Sequence, residues 1–157
     1  KGRYFNVETN DKRLTKNKTL KSVLCYVSLK QTKTRQMYIN LTLDKKDKFW
    51  KVISPTAVKG AYSGFNYLNI LNTLEVHNSS YVSFKVKTED EAKSLISYLR
   101  TNIVNKLLSI RKISQTISKD TCKYIPLIPF DRTWSDPEIY KYFKLTKDEI
   151  KQIEDIL

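Results

Sequence analysis

Between Arg100 and Lys119 the chain carries five basic residues, Arg100, Lys106, Arg111, Lys112 and Lys119, and no acidic one. Ser114, Gln115, Thr116 and Ser118 stand at the end of that stretch. Cations beside amide and hydroxyl groups match what a nucleic-acid surface requires. Lysine and arginine neutralise phosphates, while arginine and glutamine forks pair with base edges. Arg111, Lys112, Ser114, Gln115, Thr116 and Lys119 are therefore candidate DNA contacts, Gln115 suited to adenine and Arg111 to guanine or phosphate. Basic residues at a helix C-terminus also complement the helix dipole, so Arg111 and Lys112 have a purely structural reading too. A second candidate group surrounds Gly60 and Gly64, two of only three glycines, in the run AVKGAYSGFN. Glycine lets a backbone approach a groove closely. Lys51, Lys59, Tyr62, Ser63 and Asn66, on or beside this loop, would supply phosphate and base contacts. A plain surface loop accounts for the same pattern equally well.

Other chemistry is thinly supplied. His77 is the only histidine, which excludes histidine-pair catalysis and multi-histidine metal sites. Cys25 and Cys122 cannot build a zinc knuckle alone and are expected as free thiols, Cys25 buried in a strand. There is no phosphate-cradling glycine loop before a helix and no nucleophile elbow. Asp44-Lys45-Lys46-Asp47 comes nearest to the clustered carboxylates of a metal-dependent nuclease, and is also an ordinary turn. Glu89, Asp90 and Glu91 suit a helix N-terminus without any catalytic role. The residues describe a binding module, with no catalytic or metal-ligating position assigned.

Charge agrees with that reading. Twenty-nine Lys and Arg against 16 Asp and Glu give a net charge of +13, a field that attracts polyanions. Codon usage in an AT-rich genome would account for many lysines, but less well for the uneven distribution of charge. Acidic residues concentrate at Glu89 to Glu91 and after Ser135. Nucleic acid is favoured over a membrane surface because no helical stretch joins a basic face to exposed Trp or Phe. No run of apolar residues is long enough for a span, and the first residues do not form a signal peptide. A cytoplasmic location is expected. Without an initiator methionine, the chain is expected to be a fragment of a longer protein.

The elements that must position these groups follow from hydrophobic period. Val23, Cys25, Val27 and Leu29 alternate with their neighbours, as do Met37, Ile39, Leu41 and Leu43, which predicts an antiparallel hairpin. Phe49 to Ile53 predicts a third strand ended by Ser54-Pro55, and Tyr81 to Val86 another. Residues 1–20 form a linker or loose edge. Thr88 with Glu91 is a capping box, and apolar residues at three- and four-residue spacing predict one long helix ending near Arg111. Pro126 and Pro129 fall in an extended segment expected to pack on the sheet. Ser135 with Glu138, and Thr146 with Glu149, start two short helices. The fold class is α+β, with residues 21–157 as one domain: an antiparallel or mixed sheet, a long amphipathic helix and a short helical tail.

The C-terminal half resembles the carboxy-terminal region of type II restriction-modification proteins, the adenine-specific DNA methyltransferases and fused methylase-endonucleases. The matching residues are Leu108-Ser109-Ile110-Arg111-Lys112-Ile113-Ser114-Gln115 and Ser118-Lys119, then Tyr124 to Asp131 and Trp134-Ser135-Asp136. Ile139-Tyr140, Tyr142-Phe143, Leu145-Thr146, Glu149-Ile150 and Ile153-Glu154 complete them. The resemblance covers about residues 48–157 and is most specific from Leu95 onward. The family's cofactor-binding glycine motif and its Asn/Asp-Pro-Pro-Tyr/Phe active-site motif are both missing from this chain. The resemblance therefore implies a target-recognition or C-terminal domain that binds double-stranded DNA. S-adenosylmethionine would belong to the methyltransferase core of the same polypeptide. The alternatives are a restriction endonuclease domain, or a module that docks on the core without touching DNA. The tail from Trp134 to Glu154 reads as packing.

Overall fold

The computed structural model describes residues 11–29, 33–40, 48–58, 64–65, 67–112 and 114–155. Among these, seven strands form two sheets. The first contains β1 (Leu14–Thr15), β2 (Ser22–Leu29), β3 (Lys33–Asn40) and β6 (Val76–His77), in the order β1-β3-β2-β6. The second contains β4 (Trp50–Pro55), β5 (Asn69–Leu71) and β7 (Tyr81–Val86), in the order β5-β4-β7. The expected hairpin is β2 with β3, antiparallel from Ser22↔Asn40 to Leu29↔Lys33. The predicted loose edge contributes β1, which pairs with β3. β6 lies parallel to β2, which makes the first sheet mixed.

Among the described residues five helices complete an α+β fold: α1 (Glu89–Leu99), α2 (Asn102–Arg111), α3 (Lys119–Cys122), α4 (Asp136–Tyr142) and α5 (Lys147–Glu154). The second sheet is buried on both faces, and the pattern along β4 shows why. Val52 faces the helices and joins a core with Leu95, Tyr98, Leu99, Val104 and Trp134. Ile53 faces the other way and packs with Leu71, Tyr81 and Tyr26 of the first sheet. Full burial of each such side chain contributes about 1.5–3 kcal/mol.

The predicted long helix is two helices. Thr101 adopts φ −67 and ψ 151, outside the helical region, and starts α2 without a side-chain cap of its own. Its hydroxyl donates to Tyr98 O at 2.7 Å. The first free amide of α2, Asn102 N, donates to Asp136 Oδ1 at 2.6 Å. The cap therefore comes from α4, 34 residues away, and satisfies an amide that an uncapped helix start would leave open.

The proline segment packs chiefly on α1. Tyr98 Oη donates to Pro126 O at 2.9 Å, and Ser94 Oγ donates to Arg132 O. Trp134 N donates to Ser97 Oγ at 2.8 Å, and Trp134 Nε1 donates to Pro129 O at 3.1 Å. The capping boxes at Thr88 and Thr146 form as predicted. At Ser135, both the amide and the hydroxyl donate to the Glu138 carboxylate.

Candidate nucleic-acid interface

The two candidate segments, about fifty residues apart in sequence, are stitched together. Thr56 to Val58, leading out of β4, pair antiparallel with Gln115 to Ile117. Val58 N donates to Gln115 O at 3.0 Å, Ile117 N donates to Thr56 O at 2.6 Å, and Ala57 faces Thr116. Beneath this bridge Val58 and Ile117 pack on Leu108 of α2 in a small core of their own. The backbone of Gln115 is thus fixed while its side chain stays exposed.

The other end of the glycine loop is tied to α2. Asn105 Oδ1 accepts from Phe65 N at 2.8 Å, while its Nδ2 donates to Arg100 O at 3.2 Å and to Thr101 O at 3.0 Å. A Cβ at Gly64 would lie 1.8 Å from Asn105 Oδ1 and 2.6 Å from Asn105 Cβ. Glycine is required at 64 for this close approach. Lys59, Tyr62, Ser63 and Asn66 lie outside the described residues.

Arg111, Ser114, Gln115, Thr116 and Lys119 are all exposed. Ser114 Oγ accepts from Thr116 N at 3.2 Å, which shapes the turn that presents Gln115. Ser118 and Thr121 form a capping box on α3, a helix the sequence pattern did not reveal. Among the described residues, Arg100, Arg111, Lys119 and Lys123 form no ion pair. The ion pairs lie elsewhere, at Arg13–Asp11, Lys93 with Glu89 and Asp90, and Arg132–Asp131.

Two candidate contacts are corrected. Lys51 is 3% exposed, and its ammonium donates to the carbonyls of Phe49, Asn72 and Glu75 at 3.2, 3.3 and 3.2 Å. It faces the space between the sheets, where it joins carbonyls flanking β4, β5 and β6. Lys112 is 2% exposed, and burial lowers its pKa from the ordinary lysine value. Neither presents a cation to a phosphate. Lys106, on the basic stretch as well, has its ammonium enclosed with no hydrogen-bond partner among the described residues.

Two residues escaped the sequence reading. The Arg111 guanidinium carbon lies 4.5 Å from the centre of the Tyr124 ring, and Lys123 Nζ lies 5.4 Å from it. No local spacing signals a pairing of residues thirteen positions apart across a turn and a short helix.

Cys25 and Cys122 are free, as expected. Among the described residues no group of three or more His, Cys, Asp or Glu could hold a metal ion, and Asp44 to Asp47 lie outside them. Nor is any described helix long and apolar enough to cross a membrane. No family model matches the chain, and no curated protein or solved structure matches it.

The role of Lys51 can be checked directly. Lys51→Met removes three charge-assisted hydrogen bonds and leaves three carbonyls without this donor, an expected destabilisation of about 2–4 kcal/mol. Urea unfolding should record that change as a lower midpoint. An unchanged midpoint would remove Lys51 as a structural donor.

Proposed function

We propose that this chain is a DNA-binding domain acting in target recognition, and that its parent is a restriction-modification adenine DNA methyltransferase. The observation carrying the first part is the bridge from Thr56–Val58 to Gln115–Ile117, which fixes the backbone that carries Gln115 between Arg111 and Lys119 in the chain. These exposed groups stand on fixed backbone without ion pairs among the described residues. Phosphates would be met by Arg111, Lys119 and Lys123, and base edges by Gln115 and the loop. The parent's identity draws on the resemblance from Leu95 to Glu154. S-adenosylmethionine would then bind the methyltransferase core of that polypeptide, in the cytoplasm.

Salt titration of duplex binding tests the contact. Removing one cation from a phosphate lowers the slope of log affinity against log salt by about 0.9. Arg111→Ala with Lys119→Ala is expected to reduce the slope by nearly two and to weaken binding at low salt. A second reading, a module docking on the core without touching DNA, draws on the exposed side chains of Ile110 and Leu127. Unchanged affinity and slope in the double variant would favour it.

A further inference from the structure

Tyr124 is set up differently from the other groups on this face. Its backbone follows α3 through a turn in which Ile125 N donates to Cys122 O at 3.1 Å, and the next peptide is pinned where Tyr98 Oη donates to Pro126 O. Ile125 is packed into the main core. The ring therefore stands on rigid chain, with Arg111 at 4.5 Å and Lys123 at 5.4 Å from its centre, and the residue is still 48% exposed. A phosphate needs only the two cations. A half-exposed aromatic ring with cations over it suits the flat face of a base as well. In a continuous duplex those faces are stacked on one another and out of reach.

We infer that Tyr124, with Arg111 and Lys123, is a stacking platform, and that the DNA bound here presents an unpaired base to it. The inference rests on the DNA-binding reading above and specifies its ligand: duplex DNA opened at a nucleotide or continued as a single strand. Arg111 both braces the ring and neutralises the phosphate beside the unstacked base. Gln115 and Lys119 lie on the chain between Arg111 and Tyr124, so they would meet the flanking nucleotides.

The test compares the whole chain on a short continuous duplex and on the same duplex with a short central single-stranded gap. Binding is read by fluorescence anisotropy at fixed salt. The wild type is expected to bind the gapped probe about tenfold more tightly. Y124A is expected to erase that preference by losing more affinity on the gapped probe than on the continuous one, and Y124F to keep it, because stacking needs the ring and not the hydroxyl. An unchanged melting temperature shows that Y124A still folds. A gapped duplex also bends more easily, so a preference that persists in Y124A overturns the platform. Equal weakening on both probes overturns it too, yet leaves the DNA-binding reading in place. Absence of binding to either probe by the wild type overturns both.

Discussion

Trp134→Ala is expected to lower stability by about 3–5 kcal/mol, the range for removing a large buried aromatic. The indole is 6% exposed and stacks edge-to-face on Tyr142 with ring centres 5.3 Å apart. Its Nε1 holds Pro129 O at 3.1 Å, and the Arg132 guanidinium lies 5.3 Å from its ring. Truncation opens a cavity where α1, the proline segment and α4 meet, and it strips a donor from the Pro129 carbonyl. For a chain of this length each kcal/mol moves the melting temperature by about 2–4 °C, so a fall of about 10 °C is expected. Little change in melting temperature would show that the indole does not hold these elements together.

The second large effect is alkaline unfolding. Burial pushes the Cys25 thiol from its ordinary value near 9 up to about 12, with the charge of Asp11 adding to the shift. The unfolded thiol ionises first, so above pH 9 the folded state holds a proton that the unfolded state has released. Stability is then fully present below pH 9 and falls as pH rises, by about 4 kcal/mol at pH 12 from this group. Burial raises Tyr98 and Tyr26 as well, which steepens the decline. Lys112 has the opposite sign. Its lowered ammonium binds fewer protons when folded, so it adds stability as pH climbs towards the ordinary lysine value and offsets part of the decline. Urea unfolding from pH 7 to 11 should show a level region followed by a steep fall. Cys25→Ala should start lower, since the side chain is fully buried, but decline less steeply above pH 9. An unaltered slope in that variant would remove Cys25 as the cause.

Local signals in the sequence located most elements. Alternation marked β2, β3 and β7, and the caps at Thr88, Ser135 and Thr146 marked three helix starts, because each is a rule about neighbouring residues. The break at Thr101 was hidden because its cap, Asp136, is remote in sequence. The apolar three-four spacing continues through it, since α1 and α2 bury their faces in the same core. The two sheets were hidden for a related reason. Tyr26 and Ile53 each look like one side of a half-buried strand, and only their meeting shows that β4 is covered on both faces. Lys51 and Lys112 illustrate the limit for the site. A lysine in sequence is a surface cation by default, and its use as a buried donor depends on carbonyls brought in from β5 and β6 flanks or on helix packing. The bridge between Val58 and Gln115 is likewise a long-range pairing, which no rule about neighbouring residues reveals.

The ties at Val58 and Phe65 have an engineering consequence. Val58 is held by Gln115 and Phe65 by Asn105, so an insert made between them would start and end at hydrogen-bonded points. Doubling the length of such an insert adds only about 0.6 kcal/mol of closure entropy. Gly64, Asn105 and the Gln115 bridge are therefore the positions to keep when chain between the two anchors is lengthened or randomised.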